Sequence, residues 1–437
     1  MKRTISKTLD LWKSSEYRKV LLVRGARQVG KTYSVRELGK EFPYFLEINF
    51  EEDQTIHSLF DGNLDVQKII QNLALQNNIP VIPGKTLVFF DEIQSCPRAI
   101  QSLRYFYEKI PDLHIIAAGS LLEFTLEEIP SFGVGRIQSL FMYPLTFNEY
   151  LAEIHSSLMP ILEEAGITQP VEEPIHHLLS DYYKTYQLIG GMPEVVSTYL
   201  RTGDLLLCMQ KLDNLVVSFT DDFSKYKKRS PVNILKDVFN SIAHQGGKKF
   251  IYNHASDHSG IKAIHGALDL LIQAGLAYKI PHTSASGLPL GAQINQKKFK
   301  IIPLDSGIYQ RLMGMDLRAY SLANNIQVVN KGSLAEITTG IQLIHNQSPL
   351  TRPELYYWHR ESKSSNAEID YVIQHGNNIM PIEVKAGTKG QMQSMHLFLK
   401  EKNLKKGIRI SMENFGRYGA ISIVPLYAVK SMLYSDK

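Results

Sequence analysis

Short apolar runs alternate with stretches of helical spacing over the first third of the chain. The pattern predicts strands at residues 20–24, 44–49, 87–90, 113–118 and 136–143, and helices at 6–16 and 31–42. Strands that alternate with helices favour a parallel sheet with helices on both faces. Ligands of such sheets bind beyond the carboxyl ends of the strands. Polar residues at those ends are therefore the first candidates for a site.

The middle of the chain has a different pattern. Helical periodicity dominates residues 151–223, and Gly190, Gly191 and Pro193 predict a tight turn between two helices. We expect these helices to form a lid near the nucleotide, although the residues alone indicate only a bend. A basic, weakly apolar linker follows at 224–230. After it come helices at 232–244 and 261–274, and strands at 249–252, 276–280 and 298–302.

The order of these later elements resembles a winged helix, which either places a helix in a DNA groove or serves as a protein–protein spacer. Both alternatives stay open. The basic residues that the helix and the wing would offer to DNA are Lys262, His265, Lys297, Lys298 and Lys300.

In the last part of the chain, the pattern predicts a helix at 332–344, a strand at 355–359 and a hairpin formed by 368–374 and 379–385. If Gly376 and Asn377 are the centre of the turn, antiparallel pairing sets Asp370 opposite Glu383. Strict alternation then places Asp370, Glu383 and Lys385 on one face. The residues expected on the other face are Ile369, Tyr371, Ile373, Ile382 and Val384. Two opposed carboxylates repel, and a divalent cation or Lys385 would relieve that repulsion.

The loop after the first strand carries the clearest motif. Residues 25–32, GARQVGKT, fit G-x-x-x-x-G-K-[ST] between a strand and a helix, which is the phosphate-binding loop. Its amides and the helix N-terminus favour an anion, while Lys31 would reach the phosphates of ATP and Thr32 would hold Mg²⁺. The residues predicted to bind the nucleotide are Gly25, Ala26, Arg27, Gln28, Val29, Gly30, Lys31, Thr32, Tyr33, Asp91 and Ser120.

Acidic and polar residues follow two other predicted strands. Asp91 and Glu92 end the apolar run 87–90, so Asp91 is predicted to hold Mg²⁺ and Glu92 to polarise the attacking water. Ser120 follows the fourth strand, where it either reads the γ-phosphate or belongs to an ordinary turn.

GARQVGKT, FFDEIQ, AAGS, GRIQSLFMYPLTFNEY and GGMPEVV together resemble a family of bacterial and archaeal AAA-type ATPases with a C-terminal domain of long-unassigned function. The resemblance covers nearly the whole chain. It implies ATP and Mg²⁺ at Lys31, Thr32, Asp91 and Glu92, and a fourth strand between the first and the third. It also makes Arg136 a candidate arginine finger or sensor; the alternative for Arg136 is a surface salt bridge.

The C-terminal hairpin resembles the PD-(D/E)XK nucleases of the restriction-endonuclease fold. The resemblance implies that Asp370 and Glu383 bind Mg²⁺, that Lys385 positions or activates the water, and that Glu336 assists. Ile369 stands where that pattern has proline. The alternative is an inactive core whose charges form a salt-bridge cluster.

Composition narrows the setting. The chain has 437 residues, and this length suggests roughly three domains. Its hydrophobic fraction of 44% is ordinary for a globular protein. Its net charge of +5 permits an anionic partner without requiring one. Two cysteines without a pairing pattern favour a reducing, cytoplasmic setting. We expect no signal peptide and no membrane span, since the basic N-terminus lacks an apolar segment and no run of about 18 apolar residues occurs. Metalloprotease and Ser-hydrolase motifs are absent.

The predicted fold class is α/β: a P-loop NTPase sheet, then a helical lid, a winged helix and a nuclease-like domain. The predicted boundaries are 1–150, 151–225, 226–325 and 326–437. One functional hypothesis is an AAA-type ATPase that couples hydrolysis to action on DNA. The other is a nucleotide-dependent switch that recruits a protein partner through a catalytically inactive nuclease-like module. A homo-oligomer is expected if Arg136 acts on a neighbouring copy.

Overall fold

The computed structural model describes residues 1–120, 122–129, 133, 135–316, 331–361, 367–388 and 390–434. The chain divides into two compact units. The smaller comprises residues 2–143 and 348–352, and the larger comprises residues 144–347 and 353–437 together with Met1. Within the described ranges, no helix combines the length and the hydropathy needed to cross a membrane.

The smaller unit contains a five-stranded parallel sheet in the order β2-β3-β4-β1-β5. Its strands are β1 (Val20–Arg24), β2 (Tyr44–Asn49), β3 (Thr86–Asp91), β4 (His114–Ala118) and β5 (Ile137–Phe141). Its helices are α1 (Ile5–Ser14), α2 (Lys31–Gly39), α3 (Val66–Asn77), α4 (Pro97–Lys109) and α5 (Leu122–Glu128). The predicted parallel sheet is confirmed, and so is the place of the fourth strand between the first and the third.

The strands of this sheet form where apolar runs can be buried on both faces. β3 and β4 are buried along their whole lengths, as the inner strands of a parallel sheet should be. Helices α3 and α4 cover one face through Leu73, Leu103 and Phe106, which belong to one core cluster with Phe90. This packing holds the carboxyl ends of β1, β3 and β4 at one edge of the sheet.

β5 is the edge strand of the sheet, and residues 348–352 accompany it. The backbone N–H of Phe141 donates to the carbonyl of Pro349 at 2.7 Å. Arg352 donates to Glu123 of α5 at 2.8 Å, and Arg24 binds the same carboxylate through its Nε at 2.6 Å. A short segment distant in sequence therefore completes the smaller unit.

The larger unit contains helices on an eight-stranded sheet, in the order β12-β13-β11-β10-β9-β8-β6-β7. Its strands are β6 (Ala277–Thr283), β7 (Ile294–Pro303), β8 (Tyr356–His359), β9 (Glu368–His375), β10 (Asn378–Val384), β11 (Gly407–Ser411), β12 (Gly416–Tyr418) and β13 (Ile421–Pro425). Its helices up to residue 244 are α6 (Phe147–Ile154), α7 (Leu158–Glu164), α8 (Glu173–Ile189), α9 (Pro193–Thr202), α10 (Leu205–Asp222) and α11 (Val232–His244). The later ones are α12 (Ile261–Gln273), α13 (Ser306–Leu312), α14 (Lys331–His345), α15 (Gln393–Glu401) and α16 (Val429–Tyr434).

The β6–β7 hairpin, predicted as a wing, continues this sheet through the pair His282 and Tyr357. The predicted boundary at 325/326 lies outside the described residues, so the winged helix stays a prediction. The strand predicted at 249–252 is wrong apart from one bridge between Lys249 and Lys300. The side chain of Gln245 hydrogen-bonds both the N–H and the C=O of Ile251, which replaces ladder pairing.

The hairpin of β9 and β10 has the predicted register, from Asn378 opposite His375 to Ile382 opposite Tyr371. The turn forms at residues 376–377, and Gly376 has φ +56°. The predicted strict alternation of faces is wrong. The pairing of β8 with β9 shifts register by one residue, and this bulge places Ile369 and Val372 in the same core cluster.

The turn at Gly190 and Gly191 packs against the carboxylate of Asp305. Asp305 accepts from Gly191 N at 2.6 Å and caps α13 by accepting from Gly307 N at 2.9 Å and Ile308 N at 3.1 Å. A Cβ on Gly190 would lie 2.0 Å from Asp305 Oδ1. The predicted interhelical turn therefore exists because backbone amides converge on one buried acid.

We expect Asp305→Ala to lower the free energy of unfolding by about 2–3 kcal/mol, because it removes an N-cap and leaves buried amides unpaired. Asp305→Asn retains an acceptor oxygen and should lose less. Urea unfolding measures both, and equal losses in the two variants would contradict the capping role.

The pH dependence gives a second readout. Burial raises the pKa of Asp305 from 3.8 to about 6. Because the pKa is higher in the folded state, its contribution is fully present below pH 3.8 and declines as the pH rises through about 6. The advantage of the wild type over Asp305→Asn should therefore shrink across that interval.

Candidate functional site

The loop between β1 and α2 has the backbone that an anion cradle needs. Gly25 has φ +145°, and a Cβ there would lie 2.1 Å from the carbonyl oxygen of Met142. Gly30 has φ +96° at the N-cap of α2, and Gln28 is also left-handed at φ +64°. Successive turns of this kind point amides into one concavity at the N-terminus of a helix.

Lys31 lies inside this loop and is 7% exposed. Its Nζ donates to the carbonyl oxygens of Gly25 at 2.9 Å and Ala26 at 2.8 Å. Burial lowers its pKa to about 8, although the carboxylates of Glu92 and Asp91 act in the opposite direction. The ammonium is therefore held by two carbonyls that a phosphate oxygen can replace.

Thr32 and Asp91 meet at the carboxyl end of β3. Thr32 Oγ1 donates to Asp91 Oδ2 at 2.8 Å, although the two residues are 59 positions apart. Burial raises the pKa of Asp91, and the hydrogen bond from Thr32 opposes that rise. A hydroxyl and a carboxylate in contact are hard oxygen ligands, which suit Mg²⁺.

Glu92 follows Asp91 in a left-handed conformation with φ +47°, which is unusual for a residue with a side chain. Its Oε2 accepts from Gln94 Nε2 at 2.6 Å and from Ser120 Oγ at 3.4 Å. Gly119 allows this approach, because a Cβ there would lie 2.0 Å from Gln94 Oε1. The structure thus brings the predicted Ser120 to the predicted Glu92.

A second polar cluster lies in the larger unit, where Lys300 of β7 is 1% exposed. Its Nζ lies 2.8 Å from Glu336 of α14, 2.5 Å from Glu368 and 3.9 Å from Asp370. Burial acts to lower the pKa of Lys300, but the carboxylates outweigh it and the pKa is raised. The prediction that Lys300 contributes to a basic DNA-binding wing is wrong, because these carboxylates hold it inside.

The other predicted nuclease residues pair locally. Lys385 Nζ lies 2.7 Å from Glu383 Oε1, and Asp370 Oδ2 accepts from Val384 N at 2.7 Å. Burial raises the pKa of Glu336 to about 7 and raises those of Asp370 and Glu383. In the described part of the chain, oxygens of Glu336, Asp370 and Glu383 do not all lie within 4.8 Å of one another. Their predicted role in Mg²⁺ binding stays a prediction.

Residues 17–151 match the family model of an AAA domain. Residues 180–319 and 331–429 match two models that are each described as a domain of unknown function, DUF8612 and DUF4143. The comparison with curated proteins found no match.

Among solved structures, the Walker-type ATPase PABY2304 of Pyrococcus abyssi is 17% identical, and the match covers 70% of this chain and 94% of that one at a TM-score of 0.46. The Orc1 protein of Aeropyrum pernix, solved in complex with DNA, is 12% identical, with coverages of 73% and 92% and a TM-score of 0.29. PCH-2 of C. elegans is 14% identical, with coverages of 37% and 43% and a TM-score of 0.21.

The comparisons support an AAA-type ATPase fold for residues 17–151. The family match and the parallel sheet with its glycine loop agree on this point. The C-terminal restriction-endonuclease-like fold stays a prediction, since the matching family there has no known function.

Three further residues were predicted to take part in this site: Arg136, Tyr33 and Arg27. Arg136 forms an ion pair with Glu108 of α4, which is the alternative predicted for it; a role as an arginine finger stays a prediction. Tyr33 is 48% exposed at the start of α2. Arg27 acts electrostatically on Lys31 and contributes to lowering its pKa.

Two residues near the nucleotide loop were not predicted. Arg3 donates to Val29 O at 2.9 Å and to Tyr143 O at 2.6 Å, so the N-terminus braces the loop from outside the motif. No local pattern marks Arg3, whose partner Val29 is 26 residues away. Gln94 belongs to the quoted motif FFDEIQ, and its spacing from Glu92 was a usable signal.

We expect Lys300→Met to lower the free energy of unfolding by about 3–5 kcal/mol at pH 8, because buried carboxylates lose their cation. Lowering the pH should restore stability, since protonation neutralises carboxylates such as Glu336. Urea unfolding at several pH values measures this, with exposed Lys297→Met as the matched control. A loss that does not change with pH would contradict the electrostatic explanation.

Proposed function

We propose that the AAA domain binds ATP with Mg²⁺ and hydrolyses it. The observation that carries the proposal is the contact of Thr32 with Asp91 beside Lys31, at the mouth of a glycine loop. A general anion-binding loop needs only backbone amides. A nucleotide-hydrolysing site also needs a lysine for the phosphates and a paired hydroxyl and carboxylate for the metal, and all of these are present.

Each side chain then has a defined role. Lys31 would exchange its two carbonyl partners for phosphate oxygens, and Thr32 and Asp91 would hold Mg²⁺. When bound, Mg²⁺ neutralises charge that develops on the phosphate oxygens. Glu92 would orient the attacking water and accept its proton, while Gln94 and Ser120 hold the carboxylate of Glu92 until the nucleotide is in place.

We expect Lys31→Ala to abolish ATP binding, because the site loses its buried ammonium. Glu92→Gln should retain binding and reduce kcat at least about 100-fold, because the base is removed while size and polarity are kept. Nucleotide binding by fluorescence and phosphate release measure the two effects. Glu52→Gln, an exposed acid in the same domain, serves as the matched control, and wild-type turnover in Glu92→Gln would refute the assigned role.

We propose further that hydrolysis is coupled to action on DNA. The support is the presence of several exposed basic residues, among them Lys262 on α12, Lys297 on β7 and those of the segment 225–229. Phosphates attract such residues in a salt-dependent manner. Lys300 is buried, so it does not add to these exposed charges.

A second candidate function is a nucleotide-dependent switch that recruits a protein partner through a catalytically inactive C-terminal domain. The contact of Lys300 with Glu336, Glu368 and Asp370 favours it, because an ammonium supplies the positive charge that a divalent ion would supply in a nuclease. Glu383 is likewise engaged by Lys385.

ATPase rates with and without DNA separate the two functions. Coupling to DNA predicts stimulation that declines with salt and that is reduced in Lys262→Ala/Lys297→Ala. A protein-recruiting switch predicts no stimulation. Incubation of plasmid DNA with Mg²⁺ or Mn²⁺ tests the C-terminal domain: an inactive module predicts no cleavage, whereas cleavage that Asp370→Ala abolishes would establish a nuclease.

A further inference from the structure

The place where the β6–β7 hairpin joins the rest of its sheet carries two buried histidines. His282 lies on β6 at the point where its pairing with β7 shifts register. His359 is the last residue of β8, and Glu361 follows two positions later. In the described ranges β6 pairs with β8 through one residue pair, His282 and Tyr357. The join therefore has little backbone pairing of its own.

The three side chains converge. One ring nitrogen of His282, one of His359 and a carboxylate oxygen of Glu361 all lie within 4.8 Å of one another. The two imidazole centroids are 4.4 Å apart. His282 is 3% exposed and His359 is 9% exposed, whereas the side chain of Glu361 is 57% exposed. Two fixed ligands and one adjustable ligand thus face a common space.

The hydrogen bonds of His282 identify its free nitrogen. Its Nε2 lies 3.2 Å from the carbonyl oxygen of His359, and since a carbonyl only accepts, Nε2 carries the proton. Nδ1 of the neutral ring therefore has a lone pair. The Nδ1 atoms of His282 and His359 are both buried and have no hydrogen-bond partner among the described residues. A buried acceptor without a donor is costly unless something binds it.

Burial also favours the neutral form of both rings. It lowers the pKa of His282, and it lowers that of His359 to about 4. A neutral imidazole whose other nitrogen is fixed by a backbone carbonyl is the form in which histidine usually binds a metal ion.

We propose that His282, His359 and Glu361 form a binding site for a transition-metal ion of the Zn²⁺ class. Two imidazoles and one carboxylate match the ligand types and number of a site that leaves a fourth position for water. Tetrahedral bonds of about 2.0–2.1 Å place ligand atoms about 3.3 Å apart. Because Glu361 is exposed, its carboxylate can move to adjust its distance from the two rings.

Two nearby lysines would weaken the binding of a cation at this site. Lys298 Nζ lies 2.6 Å from Glu361 Oε1, and metal binding must displace or share this contact. Lys249 lies close enough to contribute to lowering the pKa of both histidines. Since Lys298 itself is partly exposed, it can move into solvent. The bound ion would tie β6 to β8 where backbone pairing is sparse.

The test uses the full-length chain, stripped of metal by a chelator and without nucleotide, in a calorimetric titration with Zn²⁺. We expect about one saturable ion at this site, and a Zn²⁺-dependent rise in Tm of at least about 2 °C. Glu361→Gln changes a surface side chain and should fold normally, yet weaken binding at least about tenfold. His282→Ala should remove binding and the rise in Tm. The matched control His396→Ala, on the exposed face of α15, should bind as the wild type does.

A second pair of variants tests the competition. Lys298→Ala frees Glu361 and should tighten Zn²⁺ binding, whereas Lys297→Ala removes the same charge one residue away and should change it less. No saturable binding by the wild type would overturn the site. Equal affinities of the wild type and Glu361→Gln, or of the two lysine variants, would overturn it as well.

Discussion

The close approach of Gly25 to the carbonyl of Met142 constrains the whole nucleotide site. No side chain fits between them, because a Cβ would lie 2.1 Å from the oxygen. The contact fixes the start of the loop to the end of β5, and Arg3 braces the same region by binding Val29 and Tyr143. The loop is therefore held from two directions without a bound phosphate. A phosphate oxygen could then replace the carbonyl oxygens that accept hydrogen bonds from Lys31.

Electrostatics organise the larger unit around a different constraint. A lysine that is 1% exposed must be paired, and Lys300 meets carboxylates from α14 and β9. The interaction draws the hairpin β6–β7 towards the later part of the sheet. Removing one partner of such a buried pair is costly, because it leaves the other charge unpaired. Two of the carboxylates that resemble a nuclease centre, Glu336 and Asp370, are thus in contact with Lys300.

Local features of the fold followed from the sequence, and contacts between distant residues did not. β1, β2 and α11 have the predicted bounds, because apolar runs and helical spacing act over neighbouring residues. The register of β9 and β10 was predictable, since the turn at Gly376 fixes it. The bulge in β9 and the loss of the strand at 249–252 were not, because they depend on pairing with β8 and on the side chain of Gln245.

The candidate site divides in the same way. Residues 25–32, Asp91 and Glu92 could be proposed from pattern alone, because their spacing is the one that phosphate chemistry requires. Arg3 and Lys300 act across 26 and 36 residues respectively, and neither has a local signature. Gln94 lay within a quoted motif, but only the fold shows that Gln94 and Ser120 both donate to Glu92.

The segment 348–352 has a consequence for how the protein is made. It accepts a hydrogen bond from the end of β5 through Pro349 and supplies Arg352 to Glu123, yet ribosomes synthesise it more than 200 residues after that strand. During translation the smaller unit would emerge before this segment is made, and an exposed edge strand can pair with other chains. A gene truncated after codon 143 would encode the nucleotide loop without this segment, because the smaller unit is built from two separate stretches of the chain.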